Sequence, residues 1–231
     1  MKNNIKRILV QILLIINTFL LIISFSISFT ILFRPFYYIN IKYLKIEEES
    51  GYTYNDIKEA YDDILNYSTL NKPFSTGKLK HSAEGESHFK DCKKLFLIDF
   101  IVLGISTIIF ILKKKMFNNI KLFNYSIEFY SSCLVIFLFT SILFVTLTVG
   151  FDRCFEIFHN IFFLGKENWL FNPETDEIIN ILPQQYFMNC AILIFIISGI
   201  ISIAIILKEI IEKRFKIGTV LFSNFHRHRR S

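Results

Sequence analysis

The sequence contains no Gly-x-Ser-x-Gly elbow and no glycine-rich phosphate loop. A serine hydrolase or a nucleotide-driven enzyme therefore has no support in it. Its four cysteines, Cys92, Cys133, Cys154 and Cys190, form no C-x-x-C and no paired ligand spacing, which argues against a zinc site. Neither a cofactor nor a metal is expected. Charge is also missing over long distances: the runs 8–33, 95–112, 127–149 and 187–207 are nearly free of it. A soluble domain does not segregate its apolar residues in this way. Each run is about 18 residues or longer, enough to cross roughly 30 Å of hydrocarbon as a helix. Helices also satisfy the backbone where water is absent. The first run is too long for a signal-peptide core and ends in FRPFYY without a small-residue cleavage site, so it is read as a retained span.

What is present is 52% hydrophobic residues, 27 phenylalanines and a net charge of +6. The basic residues are placed unevenly. Residues 1–7 hold Lys2, Lys6 and Arg7, the link KKKMFNNIK holds four lysines and no acid, and the tail ends in HRHRR. The 151–186 loop instead sets Arg153 and Lys166 against six acids, and the 34–94 segment balances ten bases with ten acids. By the positive-inside rule both termini (1–33 with the first span, 208–231 after the last) and the 113–126 link are cytoplasmic. The 34–94 and 151–186 segments then face outward, in a multi-pass cell-membrane protein. The positive charge belongs to anchoring on anionic lipid, and no nucleic-acid or nucleotide partner is implied.

Within 34–94, YNDIKEAYDDILNYSTL places Ile57, Ala60, Tyr61, Ile64 and Leu65 at helical spacing, which predicts an amphipathic helix over 54–67. Thr53 with Asp56 resembles a capping box. RPFYYINIKYLKI alternates well enough for one short strand. In the second loop Asp152 is the expected N-cap of a helix running to Leu164, with Phe151, Phe155, Phe158 and Phe162 as an interfacial stripe. Asp152, Glu156 and His159 form its polar stripe, Trp169 suits the headgroup level, and Asp176 and Glu177 start a short helix. The fold class expected is all-α: four transmembrane helices and a small extracytoplasmic cap of amphipathic helices, with at most a short strand pair.

The threshold of the second span, ESHFKDCKKLFLIDF, is loaded with titratable groups. Ser87 is the expected N-cap, and His88, Cys92, Leu95 and Asp99 share one face. Asp91, three residues after His88, is close enough to bond its imidazole. His159 lies at the same level by topology. Histidine takes and gives protons near neutral pH, so two of them with acids nearby suit acid/base work at the interface. Glu156, three residues before His159, is placed to orient it or simply to be solvated. Asp99 lies inside the hydrocarbon, where an ionisable group is a functional candidate by default; a structural hydrogen-bonding role is favoured. His81, His226 and His228 read as solvated. Cys92 and Cys154 both fall near the outer interface, so a disulfide between them is left open.

HFKDCKKLF together with FDRCFEIFHNIFF…W…NPETDEIINILP…F resembles the bacterial lipoprotein intramolecular transacylase family, over nearly the whole chain in span count and order. Cys92 departs from the valine expected there. The resemblance implies catalysis by His88 and His159. It further implies a diacylated lipoprotein substrate whose sn-2 acyl chain moves from glycerol onto its own N-terminal amine, leaving a lyso-lipoprotein. Asp91 is then the orienting group for His88, and Lys93 a holder of substrate or headgroup. Another interfacial lipid hydrolase, or a non-catalytic membrane partner, are the competing readings.

Overall fold

The computed structural model describes residues 2–116, 121–122 and 125–228. The middle of the lysine link and the last residues of the basic tail lie outside the described residues. Four long helices form the membrane body: α1 (Lys2–Leu32), α5 (Ala83–Met116), α6 (Ile127–Val149) and α9 (Gln184–His228). Their apolar segments Ile5–Leu32, Ala83–Lys113, Ile127–Val149 and Gln184–Lys216 are each long enough to cross a bilayer. The protein is an integral membrane protein of four spans.

α1 is the central span, packing on α5, α6 and α9, while α6 also packs on α9. Helices in lipid gain little from burying apolar surface, so small and hydroxyl side chains mark their contacts. Ser26 meets Ser198 at 2.8 Å, Ser131 donates to the Ile15 carbonyl at 2.9 Å, and the Asn17 amide donates to the Ser106 carbonyl at 3.1 Å. Ser28 on α1 donates to the Asp99 carboxylate on α5 at 2.6 Å, the structural hydrogen bond expected of an acid at that depth. Large residues such as Phe137, Phe144 and Leu147 face outward.

A hydrophobic core of buried residues lies above the bundle. It is built from α2 (Arg34–Tyr43), α3 (Ile46–Ser50), α4 (Tyr54–Leu70), α8 (Ile178–Ile181) and the start of α5. α4 matches its forecast, with Ile57, Ala60, Tyr61, Ile64 and Leu65 all buried and Thr53 as N-cap accepting from the Asp56 amide. The capping is not reciprocal: Asp56 takes the Thr53 hydroxyl, and the Tyr54 amide is satisfied by Glu47.

Four local expectations are corrected. Residues 34–43 form a helix rather than a strand. Pro35 sits at its first turn, where a missing N–H is harmless, and the buried set Tyr37, Asn40 and Ile41 has helical spacing. The strand pair that does form, β1 (Lys121–Leu122) with β2 (Tyr125–Ser126), lies in the basic link and not in the cap. α5 begins a turn earlier than expected, at Ala83, capped by the Ser82 hydroxyl accepting from Gly85 N–H, with Ser87 inside the helix. Asp152 is likewise not a cap: α7 (Phe151–Phe162) starts after Gly150, whose φ of +85° lets the chain leave α6 in a direction an L side chain disfavours.

Candidate active site

α5 carries His88 up to the underside of the cap, and α7 lays His159 beside it. The two imidazole centroids are 5.9 Å apart with rings tilted by 28°. Both histidines are buried, at 7% and 8% exposure. The enclosure is aromatic: Phe163 and Phe171 lie 4.8 Å and 5.3 Å from the His88 ring, and Phe155 and Trp169 lie 4.2 Å and 4.6 Å from the His159 ring. The Trp169 indole N–H donates to the Lys166 carbonyl at 3.1 Å, fixing its ring as a lid on His159.

The hydrogen bonds distinguish the two histidines. His159 Nδ1 is 2.8 Å from the Phe155 carbonyl. A carbonyl can only accept, so Nδ1 carries the proton and Nε2 of the neutral ring presents its lone pair. Burial lowers the His159 pKa from the ordinary 6.5, the Phe155 carbonyl opposing this in part, so the ring is neutral at pH 7. His88 Nε2 lies 3.4 Å from the Cys92 thiol, while its Nδ1 is buried without a partner among the described residues. One imidazole thus presents a free lone pair at Nε2, and the other keeps a nitrogen unspent.

Residues 12–187 match the family described as lipoprotein intramolecular transacylase Lit. The chain belongs to that family. The fold is also that of the membrane-integral lipoprotein intramolecular transacylase Lit from Bacillus cereus, with a TM-score of 0.77 and 22% identity over 95% of this chain and 99% of that one. Variants of that protein with one histidine replaced align similarly. The arginine variant has a TM-score of 0.73 and 23% identity over 93% of this chain and 96% of its own. The alanine variant has 0.69 and 22% over 92% and 97%. No curated protein matches by sequence.

Several residues expected at this Lit-family site sit elsewhere or do other work. Asp91 does not bond His88: its Oδ2 accepts from Lys166 Nζ and from Asn168 Nδ2 at 3.4 Å, and its Oδ1 from Lys94 Nζ at 2.9 Å. Lys93 turns away to α4, donating to Asn71 at 2.8 Å and lying 4.4 Å from the Tyr67 ring centre. Glu156 pairs with Arg153 rather than orienting His159. Asp152 accepts from the Gln184 amide at 2.9 Å, tying α7 to the start of α9. Trp169 covers His159 instead of serving only as an interfacial anchor. Cys92 and Cys154 are unpaired, the latter 3.5 Å from the Thr146 hydroxyl. His81 meets the Thr76 hydroxyl at 3.1 Å within the cap.

Sequence reasoning missed Lys166, Asn168, Phe163 and Phe171. One signal was available: Lys166 is one of two bases in a loop with six acids.

Proposed function

We propose that this Lit-family protein transfers the sn-2 acyl chain of a diacylglyceryl-cysteine lipoprotein to that lipoprotein's own α-amine. His159 is the base that then returns the proton to the glycerol oxygen. His88, kept neutral by its burial and by the neighbouring His159, is the N–H donor to the oxyanion. The observation that carries this reading is the buried imidazole pair, one ring with its Nδ1–H committed to a carbonyl and the other with an uncommitted nitrogen. The amine nitrogen attacks the ester carbonyl and an N–C bond forms. The C–O bond to glycerol breaks, and the proton lost by nitrogen ends on the glycerol oxygen. Ester to amide runs downhill, so no nucleotide is needed. Nucleophile and electrophile share one molecule, and the site has only to fold them into contact. The oxyanion needs a donor, which His88 can supply. The positive-inside distribution of the basic residues supports a dyad on the extracytoplasmic side, where mature lipoproteins lie.

Mass spectrometry of N-terminal lipopeptides tests the reading in a bacterium whose lipoproteins are S-diacylated with free amines. Expression of this protein is expected to leave the peptide mass unchanged and move one acyl chain onto the amine in the fragment ions. Fragments that stay S-diacylglyceryl, with the protein present in the membrane, refute it.

A pH dependence accompanies the assignment. A base works in its neutral form, so activity is retained above the His159 pKa and lost as pH falls through it. The acid limb of kcat/KM is therefore expected below pH 6.5, well separated from the inflection of the substrate amine near pH 8. A limb centred at or above 6.5 removes His159 from that role.

A further inference from the structure

We propose that Asp91 is the carboxylate that receives the substrate's α-ammonium, and that Lys166 occupies its place in the resting protein. This rests on the transacylase reading above. The Asp91 carboxylate is buried, at 8% exposure, one helical turn from His88. Roughly 5–6 Å separates the Cβ atoms of such a pair on one helix face. A buried carboxylate needs a cation beside it, and here two primary ammoniums fill that need: Lys94 on Oδ1 at 2.9 Å, from the next turn of α5, and Lys166 on Oδ2. Lys166 arrives from a loop 75 residues away in sequence. Lys166 keeps 47% of its side chain exposed, so its ammonium can return to water at little cost. The substrate's α-amine has a pKa near 8 and is mostly an ammonium at neutral pH. It is the same chemical group, and it exchanges for Lys166 without leaving Asp91 uncompensated.

The exchange is coupled to access. Lys166 follows Gly165, whose φ is +71° with open space around it, so the loop has a turn point directly before the lysine. The Lys166 carbonyl holds the Trp169 indole, and Trp169 covers His159. Asn168 holds the same Asp91 oxygen. Releasing Lys166 therefore loosens the cover over the dyad. A second, independent feature points the same way. His88 Nδ1 is a buried polar atom with no partner among the described residues, in a side chain that is 7% exposed. Leaving such an atom unpaired is costly, and a polar group of the bound substrate would satisfy it.

The proton balance fits two imidazoles. An α-ammonium that becomes a secondary amide loses two protons. One passes to water through an imidazole before attack, and the other reaches the glycerol oxygen as its bond to the acyl carbon breaks. Asp91 holds the ammonium in register for the first of these and gives up no proton itself.

Binding of ether-linked dialkyl-glyceryl lipopeptides, which cannot transfer an acyl chain, tests this with purified full-length protein in nanodiscs. One probe carries the α-amine and the other is its desamino analogue. The wild type is expected to prefer the amine by about tenfold or more, as for a hydrogen bond to a charged group. In Asp91→Asn the preference disappears while the desamino probe binds as before, and Asp91→Glu restores it. In Lys166→Met the amine probe binds more tightly and KM for the ester substrate falls. A merely structural role for the pair would weaken both probes alike in both variants. Retention of the preference in Asp91→Asn overturns the inference, as does weaker amine binding in Lys166→Met. If acyl transfer is seen by mass spectrometry but the preference survives in Asp91→Asn, this inference alone falls. If the wild type neither binds the probes nor transfers the chain, the transacylase reading falls with it.

Discussion

His88→Ala and His159→Ala are each expected to lower acyl transfer by roughly 10²–10⁴-fold, the usual contribution of a positioned acid or base. The two rings lie 5.9 Å apart in one aromatic enclosure, which suits a shared role. The double variant is accordingly expected to lose little more than either single one. His159→Ala removes the lone pair that the Phe155 carbonyl sets up by holding Nδ1–H. His88→Ala removes the uncommitted nitrogen. Lipopeptide mass spectrometry with matched membrane levels of each variant measures this. Residual activity above about a tenth of wild type in either variant would falsify the dyad, since it falls outside the acid/base range. It would favour a non-catalytic partner protein.

Tyr37→Ala is expected to destabilise the cap by about 3–5 kcal/mol, as other large aromatic-to-alanine changes in packed cores do. Tyr37 is fully buried, stacked on Tyr61 at 3.8 Å between ring centres and edge-on to Tyr186 at 5.0 Å. Its hydroxyl donates to the Ile181 carbonyl at 2.7 Å, linking α2 to α8 across 144 residues. Tyr37→Phe keeps the ring but strips that carbonyl of its donor, at about 1–3 kcal/mol. Thermal unfolding in detergent micelles should order wild type above Tyr37→Phe above Tyr37→Ala. Equal stability of the phenylalanine variant and wild type would mean that the hydrogen bond contributes nothing net. Because α8 ends the segment that carries Trp169 and Phe171, the alanine variant should also lose activity at temperatures where wild type is intact.

The four spans were legible because their physics is one-dimensional: uncharged runs of sufficient length have few alternatives in hydrocarbon. α4 was legible for a similar reason, since its helical period of apolar residues and its Thr53 cap are local. The helix at 34–43 was not, because RPFYYINIKYLKI supports two periods. Which one holds depends on Tyr37 finding Tyr61 and Ile181, both distant in sequence. The Ser82 cap was hidden for a related reason. Its own amide is held by the Asp176 carboxylate at 2.8 Å, a contact across 94 residues.

The two histidines could be named from their types and their places at the ends of apolar runs, and the family followed from the segments around them. By itself, then, the sequence determined the membrane class, the spans, the amphipathic cap helix and the choice of His88 and His159 as candidates. Each of these depends on properties that repeat along one segment. The tertiary structure decided what each acid and base does. It gave Asp91 to Lys166 and Asn168 instead of His88, Glu156 to Arg153, Lys93 to α4 and Trp169 to His159. A charged side chain pairs with whatever the fold brings within a few ångströms, and that distance is set by how the loop after α7 crosses the start of α5.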